Sequence, residues 1–437
     1  MFETLKNAFK IKDIRNKILF TFAMLVVIRL GSQLPVPGIK VDQFSGWFSQ
    51  KTGDAFNFFN AFTGGSFERM SIFALNITPY ITSSIIIQLL TIAIPKLEEM
   101  QRDGEDGRKK IVAISRYVTV GLALLESIAM AIMFGRSNLL VDFNALNVIT
   151  IIVALTAGSA FLMWVGERIT ENGVGNGISI VLVINIISRI PQDISQLFEQ
   201  FVFGKPIATA VLAAAVIFAI IIGMVILVII LNDGVRKIPV QYAKKMQGRK
   251  MVGGQTSSIP LKVNTAGVIP IIFASSLMQL PIIICSFFNY SGTGVWAHIL
   301  KGLNSEYWCN PKDPVYSIGL LVYIVLVVFF AYFYTSITFN PLEIAENMKK
   351  SGGFIPGIRP GKPTSDYLTK ILNYIIFIGA VGLTVVCVIP YVFNGVFNAS
   401  VSFGGTSLII IVSVVLETMK QIESQMLVRN YKGFLND

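Results

Sequence analysis

One histidine, His298, and three cysteines, Cys285, Cys309 and Cys387, are the only imidazole and thiol side chains in this 437-residue chain. A lone histidine has no second ligand at metal-binding spacing, and no HExxH pair occurs, so zinc hydrolysis has no basis in the sequence. No GxSxG elbow presents a serine nucleophile. The nearest approach to a phosphate loop runs from Gly357 to Lys362, one residue short between its glycines, with Pro363 where Ser or Thr would hold magnesium. The stretch GVGNG at 173–177 lacks dinucleotide spacing and reads as the entry to a helix. Three cysteines are too few, and odd in number, for a disulfide scaffold. No catalytic residue, metal or cofactor is expected, and the chain does not read as an enzyme.

The polar residues that could matter lie inside apolar windows. Residues 71–94 place Asn76, Thr78, Pro79, Thr82, Ser83, Ser84 and Gln88 among isoleucines, with Ile77, Ile81 and Ile85 on one helical stripe. Residues 263–284 repeat the pattern with Asn264, Gly267, Pro270, Ser275, Ser276, Gln279 and Pro281. Such groups are costly against lipid, so both helices must face protein or water over part of their surface. Helix contacts built from small and hydroxyl residues are held by weak bonds of about 0.6 kcal/mol each, and an interface of that sort can part. Ionisable residues inside the windows are Arg29, Glu126 and Glu417, of which only Glu126 lies well away from an end. That is thin equipment for ion coupling, since intramembrane charges are kept for function.

The elements that position these residues are membrane spans. Hydrophobic residues make up 53% of the chain and charged residues 14%, against about 25% charge in a soluble domain. A spanning helix needs about 20 apolar residues. Ten windows qualify: 18–36, 70–94, 112–134, 147–165, 177–191, 207–231, 264–288, 315–338, 368–392 and 404–420. The expected fold is an all-α integral membrane protein. The apolar stretch after the charged residues 1–17 continues past residue 30 with no small-residue cleavage site, so no cleaved signal is read.

The formal charge of +11 is distributed by side. Lys and Arg number five before residue 18, six in 96–116, one in 166–176, seven in 232–263, five in 339–370 and three after 419, which is 27 of the 36. The positive-inside rule therefore puts both termini in the cytoplasm. Two long segments of that side, 232–263 and 339–367, read as loops, and the Pro/Gly spacing at 356–363 stiffens a tip that presents Arg359. They suit docking of an acidic partner, protein or ribosomal RNA.

Six blocks carry a family resemblance: MSIFALNITPYITSSIIIQLLT at 70–91, GEDGRKKI at 104–111, NGVGNGISI at 172–180, the run from PVQYAKKMQGRK to SSIPLKVNTAGVIPIIF within 239–273, FNPLEIAENMKKSGGFIPGIRPGKP at 339–363 and FGGTSLII at 403–410. In order and along nearly the whole chain, they closely resemble the bacterial SecY family, the channel subunits of the general protein translocase. The resemblance implies ten helices in two pseudo-symmetric five-helix halves around a central pore, 1–195 and 207–437, joined by a hinge at 196–206. It implies a plug at about 54–66, including Phe56, Phe58, Phe59, Phe62, Gly64 and Gly65. It implies a pore ring of Ile77, Ile81, Leu182, Ile186, Ile272 and Ile410, whose narrow apolar neck excludes ions by dewetting. Thr82, Gln88, Ser275 and Gln279 become candidates for polar contacts of a lateral gate. Arg359, with Lys244, Lys245, Arg249 and Lys250, becomes the docking surface.

On that basis the chain is expected to translocate unfolded preproteins across the bacterial cytoplasmic membrane and to insert transmembrane segments sideways. The implied partners are SecE and SecG subunits, the SecA motor ATPase, the ribosome, signal peptides, nascent membrane proteins and the lipid bilayer. The alternative is an inverted-repeat secondary transporter of a small solute. Long basic loops are superfluous for a solute carrier.

Overall fold

A computed structural model describes residues 6, 8–44, 46, 63–204, 206–242, 245–247, 250–252, 256–287, 294–309, 314–397 and 405–433. Each of the ten apolar windows holds a helix. Among the described residues, six helices are long and apolar enough to cross a membrane, and one bent pair makes a seventh. The chain divides into two compact units, one of 1–195, 283–290 and 414–437, the other of 196–282 and 291–413.

The first unit contains α1 (Lys12–Gly31), α2 (Thr78–Ala93), α3 (Pro95–Arg102), α4 (Glu105–Arg136), α5 (Ala145–Asn172) and most of α6 (Gly177–Phe201). The apolar window of α2 opens at residue 70, but the helix begins only at Thr78. Met70 and Asn76 have φ of 44° and 52°, left-handed values that a helix cannot accommodate. Residues 70–77 instead run as turns pinned to the segment after α1, with Val36 N–H donating to Met70 O and Ile72 N–H to Leu34 O, both at 2.9 Å. Pro79 sits in the first turn of α2, where its missing N–H costs nothing. Extended backbone at Ile94 ahead of Pro95 turns α3 through 107° from α2.

Hydroxyls stitch this unit together. Ser83 Oγ on α2 donates to Ser115 O on α4 at 2.7 Å, and Ser127 on α4 meets Thr156 on α5 at 2.9 Å. The glycine-rich entry of α6 is capped by Asn176, whose Oδ1 accepts from the Ile178 and Ser179 N–H groups at 3.1 and 3.4 Å. The window of α6 reads as short, 177–191, yet the helix continues through Pro191 to Phe201. The first residues of the expected hinge are therefore helical.

The second unit contains α7 (Ile207–Asp233), β1 (Val235–Tyr242), β2 (Lys245–Gln247), β3 (Lys250–Val252), β4 (Thr256–Lys262), α8 (Ile269–Phe287, to residue 282), α9 (Val295–Leu303), α10 (Ile318–Thr338), α11 (Pro341–Lys350), β5 (Gly353–Phe354), α12 (Lys362–Phe397) and the start of α13 (Gly405–Gly433). Residues 232–263 and 339–367, expected as loops, carry regular structure instead. Strands β4-β1-β5 form an antiparallel sheet, β2 pairs with β3, and α11 fills much of the second segment. Alternation in β1 turns Ile238 and Val240 inward while its neighbours stay exposed. These two side chains join Leu261, Met348, Ile355, Leu368, Ile371 and Ile375 in a small apolar core of their own. Period-two polarity over so few residues is hidden inside a basic segment, which is why the strands escape notice in the sequence.

Candidate functional site

The tip with Arg359 is built on that small core. Ile355, 3% exposed, anchors one end, and Ile358 N–H closes a turn onto Ile355 O at 3.0 Å. Gly357 and Gly361 have φ of 85° and 104°, left-handed values that favour glycine and let the chain turn on either side of Arg359. Thr364 Oγ1 donates to Arg359 O at 2.8 Å, so the residue is held through its backbone while its side chain remains exposed. Lys245 and Lys250 lie in the β2–β3 pair. Lys244 and Arg249 lie outside the described residues.

Of the ring candidates, Ile77 is fully buried and packs with Ile28, Phe73, Leu162, Val165, Ile169 and Val181, with Ile81 partly buried at the edge. Leu182 and Ile186 are buried on α6. In the second unit Ile410 is 2% exposed near the start of α13, and Ile272 is half-buried on α8. The plug candidates Phe56, Phe58, Phe59 and Phe62 lie outside the described residues. Gly64 is described, and a β-carbon on it would come within 2.6 Å of Asn185 O on α6.

The gate candidates differ among themselves. Thr82 donates to Thr78 O of its own helix at 3.1 Å, Gln88 is exposed, and Ser275 is buried on α8. The side chain of Gln279 lies outside the described set. Ser83 is the buried residue that binds a neighbouring helix, and sequence reasoning passed over it because Thr82, Ser83 and Ser84 are alike in type. Burial against α4 separates them, and nothing local encodes it.

His298 Nδ1 lies 2.8 Å from the Tyr316 hydroxyl with the rings stacked, a structural pairing. Burial pushes the Cys309 thiol above its ordinary range. Among the described residues no three His, Cys, Asp or Glu side chains gather as metal ligands.

Apolar helices of spanning length, with hydroxyl and amide groups bonded between helices within each unit and a structured basic platform in the second, define a multi-pass membrane protein. A solved protein-conducting channel is similar in fold, at a TM-score of 0.60 and 17% identity over 94% of this chain and 92% of that one. Sec61 from a canine ribosome-channel complex is similar at a TM-score of 0.60 and 16% identity, with the same coverage of both chains. The SecY family profile matches residues 71–419. The protein translocase subunit SecY of Corynebacterium glutamicum is 42% identical over 98% of this chain and 99% of its own. The chain belongs to the SecY family, and its place is that of a translocase subunit, not an enzyme.

Proposed function

We propose that this chain is the channel through which unfolded preproteins cross the bacterial cytoplasmic membrane and from which apolar segments pass sideways into lipid. The observation that carries the reading is the SecY relationship at 42% identity over essentially the whole length. In this reading Ile77, Ile81, Leu182, Ile186, Ile272 and Ile410 form the neck, and residues 54–66 plug it. Thr82, Gln88, Ser275 and Gln279 belong to the gate seam between α2 and α8. The branched ring side chains close around a passing chain, and dewetting seals the neck when it is idle. Residues 1–195 and 207–437 act as the halves that part, hinged at 196–206.

The platform around Arg359, Lys244, Lys245, Arg249 and Lys250 receives the driving partner, a SecA motor or a ribosome. The firm seating of the Arg359 backbone supports this reading, because a pre-ordered tip loses little entropy on docking. Both termini face the cytoplasm, as 27 of the 36 Lys and Arg residues favour, and SecE- and SecG-like subunits complete the complex.

Reconstitution tests the reading. The chain, with a SecE-like partner in liposomes, is given an unfolded preprotein with and without SecA and ATP, and protease-protected uptake is scored. Uptake that requires both is the expected result. No uptake in vesicles containing correctly oriented protein would refute it.

A further inference from the structure

Two interhelical polar clusters, the first largely buried and the second half-buried around a buried Asn264, are used neither by the docking surface nor by the gate contacts and occupy corresponding places in the two units. In the first, Asn185 Nδ2 on α6 donates to Asn76 Oδ1 at 3.0 Å, and Arg29 Nη1 in the last turn of α1 donates to Asn185 Oδ1 at 3.5 Å. Ser159 Oγ on α5 donates to Asn76 O at 3.0 Å. Asn76 and Asn185 are 1% and 3% exposed. In the second, Asn264 Nδ2, just ahead of α8, donates to Asn232 Oδ1 in the last turn of α7 at 3.0 Å, and Asn232 Nδ2 donates to Ser413 Oγ on α13 at 2.8 Å.

The correspondence is by element and by position. Each cluster takes one group from the last turn of a span (Arg29, Asn232), one from just before the next span's helix (Asn76, Asn264), and one from the helix of the fourth span after the first. Asn185 and Ser413 both stand eight residues beyond the first residue of their helices, Gly177 and Gly405. The first cluster joins spans 1, 2 and 5, and the second joins spans 6, 7 and 10. An amide out of water is tolerated only when bonded, so such groups mark a fixed arrangement of the helices that share them. Each cluster also adjoins ring residues: Asn76 precedes Ile77, Asn185 precedes Ile186, and Ser413 lies one turn beyond Ile410.

We propose that these clusters are paired clasps, and that Asn76, Asn185, Asn232, Asn264 and Ser413 are positioning residues that hold the neck's aliphatic side chains in register while the gate helices move. The proposal rests on the assignment of the ring under the proposed function. Within each unit the clasp ties the gate helix, α2 or α8, to a helix that carries ring side chains, α6 directly and α13 through Asn232. The neck then answers to the motion of whole units, and a gate helix does not rotate alone.

The test pairs a bond-breaking variant with a bond-keeping one in each clasp. Asn76→Gly suits the φ of 52° but loses the acceptor, whereas Asn76→Asp keeps both the acceptor and tolerance of that φ. Ser413→Ala loses the hydroxyl and Ser413→Thr keeps it. Ion leak of idle channels in vesicles is measured with uptake of a preprotein bearing a defective signal sequence, and folding is followed by purified yield and thermal unfolding. Asn76→Gly and Ser413→Ala should each raise leak and defective-signal uptake by about 3- to 20-fold, the range for one or two interhelical bonds in a membrane. Asn76→Asp and Ser413→Thr should restore the parent values.

An Ile410→Asn control separates the two ideas. If it leaks while Asn76→Gly and Ser413→Ala stay tight, the clasps are overturned and the ring stands. If it is as tight as the parent, the ring assignment fails and the clasps lose their role with it. If Asn76→Gly and Asn76→Asp leak alike, hydrogen bonding is not what positions the neck, and the proposal is overturned. Should Asn76→Gly fail to fold, the Ser413 pair decides alone.

Discussion

Ile355→Ala isolates the link between the small apolar core and the tip it supports. The side chain is 3% exposed and packs with Ile238, Val240, Leu261, Met348, Leu368, Ile371 and Ile375. The change deletes three carbons, which at about 0.8 kcal/mol each removes about 2.4 kcal/mol before any cavity term is added. The core is small and local, so the loss falls on local opening of the tip, leaving the spanning helices folded. At tenfold per 1.4 kcal/mol the open population rises about 50-fold. Hydrogen exchange on the reconstituted channel reads this directly at the Ile358 amide, whose bond to Ile355 O closes the turn. The expected result is roughly 50-fold faster exchange there, unchanged exchange in α4 and α5, and weakened motor-driven uptake although Arg359 is still present. Unchanged exchange at Ile358 would show that the core does not hold the tip. Faster exchange with undiminished uptake would show that docking does not use its rigidity.

Other perturbations probe separate parts of the argument. Arg359→Glu inverts an exposed charge whose backbone is held independently of its side chain, so uptake driven by SecA should be lost while thermal unfolding stays at the parent value. Ile410→Asn puts an amide where a buried aliphatic stands, and vesicle conductance measurements should find a raised ion leak in the idle channel. Ser83→Ala removes the bond to Ser115 O and should lower stability by about 0.6–1.7 kcal/mol, while Thr82→Ala, which loses only an intrahelical bond, should cost less in the same unfolding assay. A β-carbon at Gly158 would meet Ile72 O at 2.0 Å, so Gly158→Val should abolish accumulation of folded protein on size-exclusion chromatography.

Much of this protein follows from its sequence alone. Apolar runs of spanning length need no partner to be recognised, because backbone groups in lipid must be bonded within the helix that carries them. All ten windows therefore hold helices. The family blocks likewise stand in the linear text. Tertiary structure decided what depends on neighbours. Left-handed backbone at Met70 and Asn76, pinned to the segment after α1, delays α2 by eight residues against its hydropathy. The basic segments become a sheet, a helix and a core only because Ile238 and Val240 find Met348 and Leu368, more than 100 residues away. Asn76, Asn185 and Asn264 are ordinary polar residues in the text. Their partners lie on other spans, and a hydrogen bond between helices is a property of packing that no single window of sequence contains.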